Sequence, residues 1–317
     1  MGLDMALNEL SIQFPAPDIQ TARCWMLSLI HTLRAAVSAG VRRNLRTYID
    51  LNSTAIANDY TLVRWRNDND VDLEARRYFK SVVTKYPPMS DLPESEQRSL
   101  SHDFFHQDDR AYGLGVAFLL DGLAISFASS PLWNSHEIDL NTDWLEDDGN
   151  LTSDIIHVHH ASQALHINHL TPWIQDRRCI GVQDGADLWN QREELFPSLV
   201  FCKHIGKDLE KLQSTDPILR QIVKKIFEME NYCKIWQEGP FNPAHLPFKI
   251  TGESRATTQR YPEERTFLCP DGKGRIFTWH CRLTPCAWRI YFDPSAGPGR
   301  IYIGNIGPKP PSVNYPT

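Results

Sequence analysis

Between Thr266 and Gly304 the chain reads as short runs of alternating apolar and polar side chains, each closed by turn residues, and few folds satisfy that pattern. Thr266 to Cys269, Arg275 to Leu283, Trp288 to Asp293 and Arg300 to Gly304 are predicted strands. The PDGKG, TPC and Gly/Pro stretches between them are predicted turns, so the segment is expected to form an antiparallel meander. Alternation then sorts the side chains: Phe277, Trp279, Cys281, Leu283, Trp288, Ile290, Phe292, Ile301 and Ile303 point to one face. His280, Arg282, Arg289, Tyr291, Arg300 and Tyr302 point to the other. Trp279, Trp288, Phe292 and Ile303 are expected to be buried beneath a helix, with Arg282 and Arg289 left in contact with solvent.

The cations of that face stand out against the charge of the whole. The net charge is −6, yet from Pro247 to Thr317 ten Lys/Arg face five Asp/Glu, a local +5 that leaves the other 246 residues at −11. An anionic partner is therefore expected to meet the C-terminal part.

Upstream, the 317 residues allow two or three domains. The first hundred read as mainly helical: Ala22 to Val41 buries Trp25, Leu27, Leu29, Ile30 and Leu33, and Gly40 is placed to end the helix. A second helix is expected after Asp70, with Asp72 and Glu74 in its first turn, closing before Pro87-Pro88. Pro87 to Gln97 reads as a surface loop. The run from Asp108 to Pro131 is apolar, and Asp121-Gly122 divides it into a helix and a strand. Its Tyr112-Gly113-Leu114-Gly115 lacks the third glycine or the Lys-Ser/Thr that a phosphate loop needs. A helix pair is expected at His204 to Leu212 and Pro217 to Ile235, the second opened by Asp216-Pro217.

DIIHVHHASQALHINHL carries His157, His159, His160, His166 and His169. On a strand His157 and His159 share a face, as two ligands of one metal would, but no Cys and no HExxH pattern accompany them, and no metal site is predicted. Seven Cys without a CxxC pair indicate neither a disulfide framework nor a zinc ribbon. The most apolar early stretch is broken by His31 and Arg34, so no signal peptide or membrane span is expected, and a cytoplasmic location fits.

The polar sheet face has a chemistry of its own. Guanidiniums hold phosphate through a planar fork of donors, and Tyr stacks on bases or hydrogen bonds phosphate. Attack of a ribose 2′-hydroxyl on its neighbouring phosphate needs a base, cations for the crowded phosphorane and an acid for the leaving oxygen. His280 can act as base or acid, Arg282 and Arg289 can hold the phosphate, and Tyr291 can assist in proton transfer or stacking. The same residue types also occupy the wet side of ordinary antiparallel sheets.

Two helices followed by a meander whose last hairpin reads WRIYFDP…GRIYIGNIGPKPP resembles the C-terminal half of the RelE/ParE toxin superfamily. The resemblance covers about a third of the chain. It implies a strand supplying catalytic residues at Arg289 and Tyr291, with His280 and Arg282 on the strand before. Members include ribosome-dependent mRNA endonucleases and gyrase poisons.

The expected fold is α+β: a mainly helical region 1–107, a mixed α/β region 108–200, and a RelE-like helix pair and antiparallel sheet over 201–317. The expected function is that of a bacterial toxin or host-defence effector cleaving RNA without metal or cofactor. His280, Arg282, Arg289 and Tyr291 would be catalytic, and Arg265, Arg300 and Tyr302 would bind the nucleic acid. RNA, including ribosome-bound mRNA, and a regulatory protein or antitoxin are the expected partners, with no membrane. The alternatives are a non-enzymatic subunit of a larger defence assembly that binds nucleic acid or protein, and a metal-dependent hydrolase built on His157, His159 and Asp154.

Overall fold

The computed structural model describes residues 2–51, 53–84, 102–145, 151–284 and 287–313, and the fold is α+β. The loop expected at Pro87 to Gln97 lies outside the described residues.

The N-terminal half begins with β1 (Met5–Leu7), α1 (Ile19–Ala39) and β2 (Leu45–Arg46). Asp18 caps α1 by accepting from the Thr21 N–H at 2.7 Å, and Gly40, at φ 113°, closes it in the left-handed conformation a side chain would resist. A small hairpin, β3 (Ala55–Ala57) and β4 (Tyr60–Thr61), leads into α2 (Leu62–Asn67). The helix expected after Asp70 is α3 (Leu73–Val82), capped by Asp72, and it runs directly into β5 (Val83–Thr84). Then come β6 (His102–His106), β7 (Asp109–Arg110), α4 (Tyr112–Leu119), β8 (Leu123–Ile125), β9 (Glu137–Leu145), β10 (Leu151–Ala161) and α5 (Ala164–Cys179). Asp121, at φ 45°, makes the expected break between α4 and β8.

One eight-stranded sheet has the order β5-β2-β1-β8-β10-β9-β6-β7. Its first five strands are parallel and the remainder antiparallel. The chain winds outward in one direction through β1, β2 and β5 and in the other through β8 and β10, so the strand order reverses between β1 and β8. The central pair, β1 and β8, is short and wholly buried because both faces are covered. Met5, Leu7, Leu123 and Ile125 join a cluster with α1, while Ala6 and Ala124 join another with α4.

The C-terminal half contains α6 (Gly185–Leu195), β11 (Leu199–Phe201), α7 (Ile205–Leu209), α8 (Pro217–Ile235), β12 (Thr251–Gly252) and α9 (Arg255–Arg260). It ends with β13 (Thr266–Leu268), β14 (Gly274–Ile276), β15 (Trp279–Leu283), β16 (Trp288–Asp293) and β17 (Ile301–Pro308). A five-stranded sheet, β11-β17-β16-β15-β12, carries the three long antiparallel strands with β11 parallel to β17. Ile218, Leu219, Ile222, Ile226 and Met229 of α8 lie in one core with Cys281, Ile290, Phe292, Ile301 and Ile303. Each such side chain contributes about 1.5–3 kcal/mol of transfer free energy. Phe292 and Ile303 are buried as expected, whereas Trp279 and Trp288 are only partly buried.

Two features differ from the sequence reading. The expected meander is interrupted: β13 and β14 pair with each other as a separate hairpin instead of joining the larger sheet. Gly304 permits its close approach, since a Cβ there would lie 2.5 Å from the Phe277 ring. The expected divisions at 107 and 200 are also crossed, because the eight-stranded sheet takes strands from both sides of the first. The C-terminal core already begins at Ile180.

The two halves meet along α8. Gln221 donates to the carbonyls of Phe118 and Leu119 at 2.8 and 2.9 Å, and Arg220 donates to buried Asp4 at 2.9 Å. Asp121 is held by Arg177 at 2.6 Å and by Lys224 at 3.3 Å, and Arg177 also reaches Glu228 at 3.0 Å. Desolvation offsets much of the attraction in such pairs, so their main effect is to fix how α8 seats on the N-terminal half. Among the described residues no helix is long and apolar enough to cross a membrane.

Candidate functional site

The register of β15 and β16 sets His280 opposite Tyr291 and Arg282 opposite Arg289, all on the face turned away from α8. The alternation of the sequence required that grouping. What the alternation did not reveal is the cover: the segment that precedes β15 folds back over this face. The Glu253 N–H donates to the Thr278 carbonyl at 2.7 Å, which fixes the carboxylate over the His280–Tyr291 rung.

There Glu253 Oε1 accepts from the Tyr291 hydroxyl at 2.8 Å and from Arg265 Nη2 at 3.1 Å, and His280 Nδ1 lies 3.8 Å from it. The His280 and Tyr291 rings are 5.1 Å apart. Arg265 and Tyr291 are 0% exposed and His280 8%. Burial, aided by the nearby Arg289 and Arg265 charges, pushes His280 down to about 3, so the imidazole is neutral at pH 7. Burial and the Glu253 carboxylate push Tyr291 up to about 12. The quartet is therefore a sealed unit in which one carboxylate serves a guanidinium and a phenol beside an uncharged imidazole.

Arg282 and Arg289 occupy the next rung and are only partly buried. Arg289 in turn faces Gly307 of β17, which has no side chain to crowd it. The remaining predicted residues lie elsewhere. Tyr302 pairs with Asp293, four residues along β16 from Arg289, or about 13 Å at strand spacing. Its ring lies 4.3 Å beneath the Arg275 guanidinium, which Asp271 grips through two hydrogen bonds of 2.7 and 2.8 Å. Arg300 is exposed just before β17. Of the predicted set, His280, Tyr291 and Arg265 come together under cover, Arg282 and Arg289 form a half-open pair beside them, and Arg300 and Tyr302 stand apart.

Glu253 is the member that sequence reasoning missed. A single acid among Lys249, Arg255 and Arg260 was a signal in charge alone, with no periodicity to place it.

The histidines of the middle region have separate partners. His157 meets Asp139 at 2.6 Å, His159 lies against the Trp173 ring, and His160 turns into the sheet. Burial pushes both His159 and His160 down to about 4. Among the described residues no group of three or more His, Cys, Asp or Glu is arranged to hold a metal ion.

His160 belongs to a second constellation that no motif announced, at the point where the strand order reverses. Its Nδ1 meets the Ser135 carbonyl at 2.7 Å, so that nitrogen carries the proton, and Nε2 accepts from the Ser126 hydroxyl at 2.6 Å. Asn8 donates to the same hydroxyl oxygen at 3.0 Å. The pairing has the composition of a nucleophile and its base, yet Asn8, Ser126 and His160 are each 0% exposed. The hydrogen bonds close the crevice between β1 and β8.

Comparison of the chain with protein-family models, with curated proteins and with solved structures finds no match.

Proposed function

We propose that the C-terminal half binds the sugar-phosphate backbone of single-stranded RNA, with Arg282 and Arg289 as the phosphate-holding pair. The observation that carries this reading is the cross-strand register, which sets two guanidiniums directly opposite one another. Guanidiniums hold phosphate oxygens through planar forks of donors, and two of them on one rung suit the closely spaced phosphates of a single strand. The local charge of +5 favours a polyanion, and the resemblance to the RelE/ParE superfamily supplies RNA as the polymer. Glu253, Arg265, His280 and Tyr291 act beneath the pair as its support.

This is the binding form of the expected function, and the state of His280 favours it over cleavage. A neutral, buried imidazole pushed down to about 3 has no proton to give at pH 7 and is a weak base. The Tyr291 hydroxyl is committed to Glu253. The test combines fluorescence anisotropy on a labelled single-stranded RNA with gel analysis of the recovered strand. Wild type is expected to bind and return the RNA intact, and the Arg282→Ala/Arg289→Ala double variant to bind at least tenfold more weakly. Equal binding by the double variant rejects the reading. RNA cut by wild type but not by His280→Ala replaces it with catalysis.

A further inference from the structure

In an open α/β sheet, ligands enter at the carboxyl ends of the parallel strands, near where the strand order reverses. Here that crevice is filled by the Asn8, Ser126 and His160 hydrogen bonds. A cavity of about 470 Å³ lies one strand along, beyond the end of β2 and between α2 and α3. It falls within the range of about 300–1,000 Å³ typical of small-molecule sites.

Its lining is divided by chemistry. Leu51, Leu62, Phe79 and Val83 make an apolar wall, and Phe79 is only 3% exposed. Arg66, from the last turn of α2, and Lys80, from the last turn of α3, bring two cations to the same space. Asp50, just beyond β2, brings one carboxylate. Tyr48 also lines the cavity, and its ring is stacked on Tyr112 with centroids 4.1 Å apart and planes at 6°. The ligand that matches all of these has a flat, largely apolar body, an anionic end and a hydroxyl donor between them.

From this lining we infer that the cavity binds a nucleotide. The base lies against Phe79, Leu62 and Tyr48, the phosphate is held by Arg66 and Lys80, and a ribose hydroxyl donates to Asp50. An apolar wall alone would take a lipid or a sterol, and the cations alone would take any phosphate. The combination with a carboxylate selects a phosphorylated nucleoside. The site stands apart from the RNA-binding face and does not depend on that reading.

Isothermal titration calorimetry on the full chain with AMP, ATP, adenosine and inorganic phosphate tests the assignment. One molar equivalent of AMP or ATP is expected to bind saturably, with adenosine and inorganic phosphate each at least tenfold weaker. Lys80→Glu, a change at an exposed position, is expected to weaken nucleotide binding tenfold or more while leaving the unliganded melting temperature unchanged. Tyr48→Ala, at a position 43% exposed, is expected to weaken AMP more than phosphate. Arg289→Ala should bind nucleotide as wild type does. The inference fails if neither nucleotide binds saturably at millimolar concentration or if phosphate matches AMP. It also fails if Lys80→Glu is without effect, or if Arg289→Ala abolishes the binding and so places it on the C-terminal sheet.

Discussion

Glu253 holds the candidate site together, because it is the counter-charge of a guanidinium that has no contact with water. Glu253→Gln leaves Arg265 buried and uncompensated, and the expected loss is about 3–5 kcal/mol of stability in chemical denaturation. Tyr291→Phe removes one hydrogen bond to the same carboxylate, with an expected loss of about 1–2 kcal/mol. The acid response follows from the imidazoles. His280 is lowered from 6.5 to about 3, and His159 and His160 to about 4. As pH falls below 6.5 the unfolded chain takes up these protons while the folded chain does not. The stability they contribute is complete above pH 6.5 and drains away between there and about pH 3–4. Each group adds up to about 1.4 kcal/mol per pH unit to that slope. Melting temperatures measured from pH 7 to 4.5 should fall steeply, and His280→Gln should lower the slope by one proton. At this scale the sequence placed His280, Arg282, Arg289 and Tyr291 on one face through strand alternation. It could not place them relative to water, because alternation distinguishes two faces and does not say what lies over either.

Elements were legible in proportion to their length and their caps. α1 and α8 carry apolar residues at helical spacing over many turns, with Asp18 and Gly40 marking the ends of the first and Asp216-Pro217 opening the second. β8 was read as the strand after Asp121-Gly122, but β1, β2 and β5 have two or three residues each, too few to show alternation or a recognisable run. Three of the five parallel strands, and with them the parallel pairing, were invisible for that reason, and a region read as mainly helical turned out to wrap its helices around them. β13 was read as a strand, but β14 was read as the start of one strand from Arg275 to Leu283, since local pattern neither shows the break before Trp279 nor chooses a pairing partner. Its seat on Gly304 gives a test. Gly304→Ala forces the Phe277 ring outward and is expected to cost about 1–3 kcal/mol. Amide exchange in β13 and β14 should rise more than in β16.

For the molecule as a whole, α8 is the element both halves share, and its ion pairs with Asp4 and Asp121 are buried in the contact. Asp4→Asn leaves Arg220, 6% exposed, facing a neutral group, and a loss of about 3–5 kcal/mol is expected in urea denaturation. The Lys224 and Arg177 charges outweigh burial and hold the Asp121 carboxyl below its ordinary 3.8. Its contribution is therefore present above that pH and lost as pH falls through the lower folded value. If Arg282 and Arg289 neutralise RNA phosphates as proposed, the salt dependence of binding records it. The logarithm of the binding constant for single-stranded RNA, measured with the full chain between 50 and 200 mM salt, falls with a slope of about −0.7 per phosphate neutralised. Replacing both arginines by alanine should make that slope shallower by about 1.4, and a slope unchanged from wild type would mean that neither guanidinium meets a phosphate.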